Sequence, residues 1–388
     1  MAGTIKPRDA KELRQAVEWA LNDSQTLDVR GQGSKLALGK PMTCDQVLDF
    51  SGLSGIVDYA PEELVVTLRA GTPMREVEAL LAQRNQMLAF EPPDLGPLLG
   101  QEAGQGTLVG AVMGNLAGPR RLSAGAARDH LLGFSGVNGR GEAFKSGGKV
   151  MKNVTGYDLS KLLTGSWGTL AVLDEVSVKV LPAPDQTRTL MLIGLSDEAA
   201  VKAMCAAMGS PHDVSGAAHV DGRTALRLEG VAPSVEARLR GLRDLFAGEA
   251  RMEELGTLES RAFWRDVRDL MPFANMRDDV VWKISCPPTE GPGIVSRIKA
   301  RQPSAKAFYD WSGGLIWLAL PPSADADHFF VRNALGSMGG YATLIRADAV
   351  VRSKVPVFHP QPTALAALAL RVKGSFDPKG LFNPGRME

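Results

Sequence analysis

The sequence predicts an α+β protein built in two unlike parts, and three observations carry that expectation. Between Arg188 and Arg346 a strand–helix–strand–strand–helix order occurs twice, which suggests one antiparallel sheet covered by helices on one face. Between Gly96 and Gly168, 17 of the 42 glycines fall within 73 residues, among apolar side chains and few charges. Glycine loses more backbone entropy on ordering than any other residue, so the offsetting gain is φ > 0 geometry or a main chain lying against a large flat ligand. Leu170–Pro182 (LAVLDEVSVKVLP) closes this stretch with the apolar–polar alternation of a half-buried strand.

Taken in order, the chain opens with a helix. Asp9 and Glu12 have the spacing of a capping box, and Ala10, Leu13, Val17, Ala20 and Leu21 share one face. A strand over Thr26–Arg30 leads into Arg30-Gly31-Gln32-Gly33-Ser34-Lys35, where consecutive backbone amides can converge on a phosphate. The third glycine of a dinucleotide fingerprint is missing there, and Gly-Lys-Ser/Thr never occurs at P-loop spacing, which argues against both nucleotide motifs. Strands follow at Val47–Phe50 and Leu64–Ala70, and then a helix capped by Thr72, with Pro73 at its first position, running to about Arg84. The extended Glu91-Pro92-Pro93-Asp94 enters the glycine-rich stretch, in which Asn138-Gly139 reads as a hairpin turn.

Pro182-Ala-Pro184 marks a boundary. Beyond it the first repeat reads as strand Arg188–Leu195, helix Asp197–Met208, a hairpin of Ser215–Asp221 and Thr224–Glu229, and helix Val235–Phe246. A connecting helix near Leu258–Leu270 carries Phe263-Trp264, expected to anchor the core of this part. The second repeat reads as strand Asp279–Cys286, helix Ile294–Arg301, a hairpin of Ala305–Trp311 and Leu315–Leu320 turned at Ser312-Gly313-Gly314, helix Ala324–Leu335 and strand Tyr341–Arg346. The tail holds a short helix, Thr363–Val372. The expected units are therefore 1–182, 183–348 and a returning segment 349–388.

Composition narrows the function. Lys plus Arg (44) against Asp plus Glu (43) leaves a formal charge of +1, which carries no nucleic-acid footprint. No window approaches the roughly 20 apolar residues of a membrane span, so direct membrane insertion is not expected. The N-terminus lacks the apolar core of a secretory signal, which makes a cytoplasmic location the expectation. Cys44, Cys205 and Cys286 are too few and too scattered for a disulfide framework, a zinc site or an iron–sulfur cluster. His212 and His219 bracket a strand start and do not form a metal pair. Arg120 and Arg121 suit either an anionic ligand or a salt bridge at a domain seam.

Three segments together resemble the vanillyl-alcohol-oxidase type of FAD enzymes, with a PCMH-type FAD-binding domain. They are RGQGSK after a strand, TLVGAVMGNLAGPRR through KNVTGYDLSKLLTGSWGTLAVLDEVSVKVLP, and FDPKGLFNPGR at the C-terminus. Within that superfamily the likeness is to the FAD-binding (E) subunits of bacterial glycolate oxidases. The resemblance implies a two-part FAD domain, an antiparallel α+β cap, and non-covalent FAD, because members that bind flavin covalently through this loop have histidine where Ser34 stands. It places Gly31, Gln32, Gly33, Ser34 and Lys35 on the FAD pyrophosphate. Pro93, Gly110, Gly114, Asn115 and Gly118 would line the pyrophosphate, ribityl chain and ring edge, and Gly125 and Asp129 would lie at a ring-side turn. Gly156, Tyr157 and Asp158 would secure the loop beside the flavin, Val172 would meet the adenosine, and Asn383 would return to the flavin.

The resemblance also implies oxidation of glycolate to glyoxylate in a complex with a catalytic FAD subunit and an iron–sulfur subunit, any membrane association being made through that complex. The catalytic sister subunit carries a His-x-Gly-Asp-Gly-Asn-x-His metal motif. None of His130, His212, His219, His328 and His359 sits in such a context, so no catalytic residue is assigned. Two other functions fit the same residues: a structural subunit with little or no FAD, and a stand-alone FAD-dependent 2-hydroxy-acid or alcohol dehydrogenase.

Overall fold

The computed structural model of the chain describes residues 3–148 and 157–387. The first strands, β1 (Gly3–Ile5), β2 (Leu27–Arg30) and β3 (Gln46–Asp49), form a small parallel sheet ordered β1-β3-β2. Helix Ala10–Asn22 makes the crossover that parallel strands require. Asp9 caps it through the Glu12 amide (2.8 Å), while the Glu12 carboxylate takes the Arg8 amide (2.9 Å) and not that of its own N-cap residue. Leu13, Val17 and Ala20 are buried as expected, and Ala10 is exposed because it lies before the face turns inward.

Next come β4 (Ile56–Ala60), β5 (Val65–Arg69), the two-residue β6 (Gln86–Met87), β7 (Leu131–Asn138), β8 (Ala143–Gly147), β9 (Ala171–Lys179) and the two-residue β10 (Leu181–Pro182). Five of these form an antiparallel sheet ordered β4-β5-β9-β7-β8, and β6 pairs with β10. One core, including Leu13, Leu48, Leu68, Leu108 and Val176, joins both larger sheets. The Thr72 cap is a correction. Helix Met74–Ala82 starts after Pro73, and the buried Thr72 hydroxyl donates to Arg69 O (2.7 Å) while accepting from the Gly55 amide (3.0 Å). Those partners lie in the loop before β4 and at the end of β5, so Thr72 closes the turn and does not start the helix. Asn138 does close the β7–β8 hairpin, its Oδ1 accepting from the amides of Arg140 (2.9 Å) and Glu142 (3.1 Å).

The remaining strands are β11 (Gln186–Ile193), β12 (Gly216–Val220), β13 (Arg223–Gly230), β14 (Arg251–Leu255), β15 (Val280–Ser285), β16 (Lys306–Asp310), β17 (Leu315–Leu320) and β18 (Tyr341–Arg346). They make one antiparallel sheet ordered β14-β11-β13-β12-β16-β17-β15-β18. Read inward from either edge, each half runs fourth, first, third, second strand. The repeat seen in sequence is thus an internal two-fold, whose halves meet at β12 and β16 through the pair His219↔Tyr309. The sequence pattern missed β14, an edge strand carrying exposed Arg251 and Glu253, charges that suit a solvated edge.

The sheet is buried on both faces. Trp282, Ile284, Ile316 and Leu318 pack under helices Asp197–Met208, Ala232–Leu245 and Gly291–Arg301. Val281, Trp317 and Ala319 pack against Leu95, Leu98 and Leu116 of the first half and against Trp264 of helix Thr257–Arg268. Double burial explains the unbroken apolar run of β17. The helix expected over Ala324–Leu335 is shorter, His328–Asn333. Beyond helix Thr363–Phe376 the tail comes back to the first sheet, where Phe382 bridges Leu27 and Asp377 accepts from the amides of Leu381 (2.9 Å) and Phe382 (3.0 Å). No helix among the described residues is long and apolar enough to cross a membrane.

Candidate functional site

β2 ends at Arg30, and the next five residues turn along the rim of an open cleft with about 740 Å³ of empty space, solvent at its mouth included. Among the described residues, the backbone N–H groups of Gln32, Gly33, Ser34 and Lys35 have no hydrogen-bond acceptor. Four successive unpaired donors on a partly buried loop are costly unless an acceptor binds there. The facing wall is the start of helix Leu108–Met113, capped by Thr107 through the Gly110 amide (3.0 Å). A Cβ on Gly31 would sit 2.8 Å from the Thr107 side chain, so only glycine lets the two walls approach. Gln32 fixes the loop by accepting from the Gly106 amide (2.9 Å).

The cleft is cationic. Burial pushes the Lys35 ammonium down to about 8, partly against Asp94, and its only hydrogen bond among the described residues is a long one to Ser34 Oγ (3.3 Å). Arg386 reaches in from the tail, donates to Lys35 O (2.9 Å), lies 5.5 Å from the Trp167 ring centre, and leaves its buried Nε without an acceptor among the described residues. Asn383 is buried at φ +44. Its Oδ1 accepts from the Val29 amide (2.8 Å) and its Nδ2 donates to Trp167 O (2.9 Å), so the tail clamps β2 to the opposite wall.

A second set of polar groups closes the seam between the two halves. Glu91, at φ +48, takes the Arg120 amide (2.7 Å) and both Arg227 terminal nitrogens (2.9 and 3.0 Å). Arg120 turns its fork onto Glu229 (2.8 and 2.6 Å). Burial acts to raise the Glu229 carboxyl, but Arg227 and Arg120 outweigh it and hold it at about 2. Arg120 is therefore the seam salt bridge, while Arg121 lies over Trp311 at 4.8 Å. Trp311 Nε1 donates to Gly118 O (3.0 Å), and Lys283, pushed down to about 8 by burial with Arg121 adding to it, lies near the rings of Trp311 and Trp317. Burial raises Asp310 to about 7, against the Trp311 amide bond. Trp264 is buried on this side of the sheet and donates to Thr189 Oγ1 (2.9 Å), a core anchor as expected.

The structure brings Gly31, Gln32, Gly33, Ser34, Lys35, Gly110, Gly114, Val172 and Asn383 onto the one cleft. Pro93 lines an adjoining space with Ser34, Lys35 and Thr107. Asn115 (accepting from the Arg128 amide, 3.3 Å), Gly118, Gly125, Asp129 (accepting from the Ala126 amide, 2.9 Å) and Asp158 (capping helix Leu159–Leu163) do not line it. Tyr157 is 92 % exposed, and Gly156 lies outside the described residues. Thr107, Trp167 and Arg386 were missed. Each stood in a segment already singled out, but contact across the cleft has no sequence signature. His359 has a structural role, accepting from the Ala342 amide (3.2 Å), and His219 pairs with Thr224 Oγ1 (2.9 Å).

Glycine-lined walls, unpaired amides and convergent cations suit an elongated phosphate-bearing ligand, and the fold around them is that of a flavoprotein with an antiparallel cap. Residues 1–147 match the family described as FAD binding domain. The solved structure of p-cresol methylhydroxylase with substrate bound superposes with a TM-score of 0.73 at 13% identity, covering 99% of this chain and 88% of that one. Alkyldihydroxyacetonephosphate synthase superposes with a TM-score of 0.69 at 15% identity, covering 98% and 75%. The glycolate oxidase subunit GlcE of Escherichia coli K12 is 37% identical over 97% of both chains. Subunit GlcD of Bacillus subtilis is 30% identical over 51% of this chain and 41% of that one. The chain belongs to the GlcE family of glycolate oxidase subunits.

Proposed function

We propose that the chain is the FAD-binding subunit of a glycolate oxidase (glycolate dehydrogenase) complex, supporting oxidation of glycolate to glyoxylate. The observation that carries the reading is the run of unpaired amides from Gln32 to Lys35 facing Lys35, Arg386 and the glycine wall. Bound FAD would supply two-electron redox chemistry to the complex. Gly31, Gln32, Gly33, Ser34 and Lys35 would hold the pyrophosphate, Gly110 and Gly114 would admit the main chain against it, and Val172 would pack on the adenosine. Asn383 would position the β2 end of this set through its two clamping bonds, and Pro93 would bound the flavin-side space. Ser34 offers no ring nitrogen for covalent attachment, so FAD is held non-covalently.

Residues 1–182 form the FAD-binding unit in this reading, 183–348 the cap and 349–388 the returning segment. Three scattered cysteines cannot hold an iron–sulfur cluster, so electrons leave through partners: a catalytic FAD subunit and an iron–sulfur subunit. The chain works in the cytoplasm, reaching a membrane only through that complex. The test is the visible spectrum of the purified chain before and after anaerobic glycolate. Flavin bands that survive folding but leave on denaturation and filtration, and that glycolate does not bleach, are the expected result. Bleaching would make this chain a dehydrogenase in its own right, and a colourless chain that takes up no FAD would leave a purely structural subunit.

A further inference from the structure

A second cleft, with about 900 Å³ of empty space, opens where β6 and Pro92 face helix Thr257–Arg268. Its apolar lining is half-buried Met87 with buried Leu88 and Trp264, the Trp264 ring being covered by the Arg227 guanidinium at 4.6 Å. Arg261, Arg265 and Arg268 stand at i, i+4 and i+7, so one helix face presents all three. Arg268 is engaged by Asp269 through two bonds of 2.8 Å. Arg261 is anchored to Pro184 O (2.8 Å) and Thr187 Oγ1 (3.4 Å) and meets no carboxylate among the described residues. The Arg265 guanidinium has no partner among the described residues. Arg120 and Arg227 close the inner end, already matched by Glu91 and Glu229. Glu78 is the one lining carboxylate without an ion pair. Its tip reaches solvent, yet the cleft walls desolvate it enough to raise its pKa, with Arg268 opposing.

We propose that this seam cleft binds a small organic carboxylate, its anionic head on Arg265 and Arg261 and its carbon body against Met87. A planar guanidinium fork matches a carboxylate in two bonds, and an apolar floor beside it lowers the local dielectric and strengthens them. The cleft shares Glu78, Pro92 and Arg268 with the space behind Pro93, which itself shares Ser34, Lys35 and Thr107 with the main cleft. A carboxylate held here is therefore separated from the main cleft by one intervening space with common walls. The choice of short 2-hydroxy acids rests on the glycolate reading above, whereas the preference for a carboxylate rests on the cleft alone.

The test is calorimetric titration of the full-length chain with glycolate, with neutral ethylene glycol and inorganic sulfate as controls. Glycolate is expected to bind saturably, ethylene glycol not at all, and sulfate more weakly for lack of a carbon body. Arg265→Ala removes an exposed side chain without disturbing the core, and should weaken glycolate about tenfold or more, the scale of a lost charge-assisted bond. Glu78→Gln removes the unpaired negative charge and should tighten it several-fold. Absence of saturable binding, equal binding of ethylene glycol or sulfate, or affinities unmoved by both variants would overturn the proposal. Flavin retention is read separately from the visible spectrum of the same samples. A colourless chain that still shows the Arg265 effect fails the FAD reading alone, and a yellow chain without it fails this proposal alone.

Discussion

Glu229→Gln keeps the shape of the side chain and removes one of the two carboxylates that balance Arg120 and Arg227 in the seam. With Glu91 alone remaining, two buried guanidiniums share one negative charge. The depression of the Glu229 pKa from an ordinary 4.5 to about 2 corresponds to about 3 kcal/mol, at about 1.4 kcal/mol per pH unit. That agrees with the ~3–5 kcal/mol typical of removing one member of a buried pair. Because the folded-state value is depressed, the contribution is complete above pH 4.5 and is lost as pH falls through about 2. Urea unfolding followed by tryptophan fluorescence should show the variant less stable by about 3 kcal/mol at pH 7, and by less than half of that at about pH 3. A variant as stable as the parent at pH 7, or a deficit that acid leaves unchanged, would refute an ionised, buried network at this seam.

Two further outcomes follow from the main cleft. Lys35→Met should weaken FAD roughly tenfold or more by removing a charge-assisted contact, and parent affinity should fall as pH rises through about 8, where the free ammonium loses its proton; flavin fluorescence titration between pH 6 and 9.5 reads both. Asn383→Ala leaves the Val29 amide and Trp167 carbonyl unpaired, and should cost about 2–3 kcal/mol in urea unfolding while also loosening FAD, since the β2 end loses its clamp.

Much of this architecture was legible because local chemistry and tertiary demand agreed. Helix Asp197–Met208 and strands Leu315–Leu320 and Tyr341–Arg346 have the bounds their patterns imply, each with clean periodicity between turn residues. The glycine enrichment was legible as a backbone demand, but only Gly110, Gly114 and Gly168 of that stretch line the main cleft, while Gly133, Gly136 and Gly139 admit close chain packing elsewhere. What escaped was set by contacts distant in sequence. β14 is a charged edge strand whose partner lies about 60 residues away, so nothing in RMEEL announces it. Thr72 had the type and position of a helix cap, yet two carbonyls and an amide of the preceding segment compete for its hydroxyl and win. Arg386 and Lys35 are 351 residues apart, and only the fold brings the guanidinium onto the Lys35 carbonyl.

The two-sided burial of the large sheet limits how such a protein can work. Its inner face shares one apolar core with the first half, and Trp311 reaches across to the Gly118 carbonyl beside the Glu91–Arg227–Glu229–Arg120 network. Swinging the cap away would expose that core and strand four charges whose pairing depends on both halves, a cost of several kcal/mol before any chemistry begins. Access must therefore come from the edges: along the β2 loop, where unpaired amides wait for an anion, and along the helix Thr257–Arg268, where unmatched arginines do. The two openings are linked through an intervening space that shares Ser34, Lys35 and Thr107 with one and Glu78, Pro92 and Arg268 with the other, so the seam network fixes the walls that both have in common.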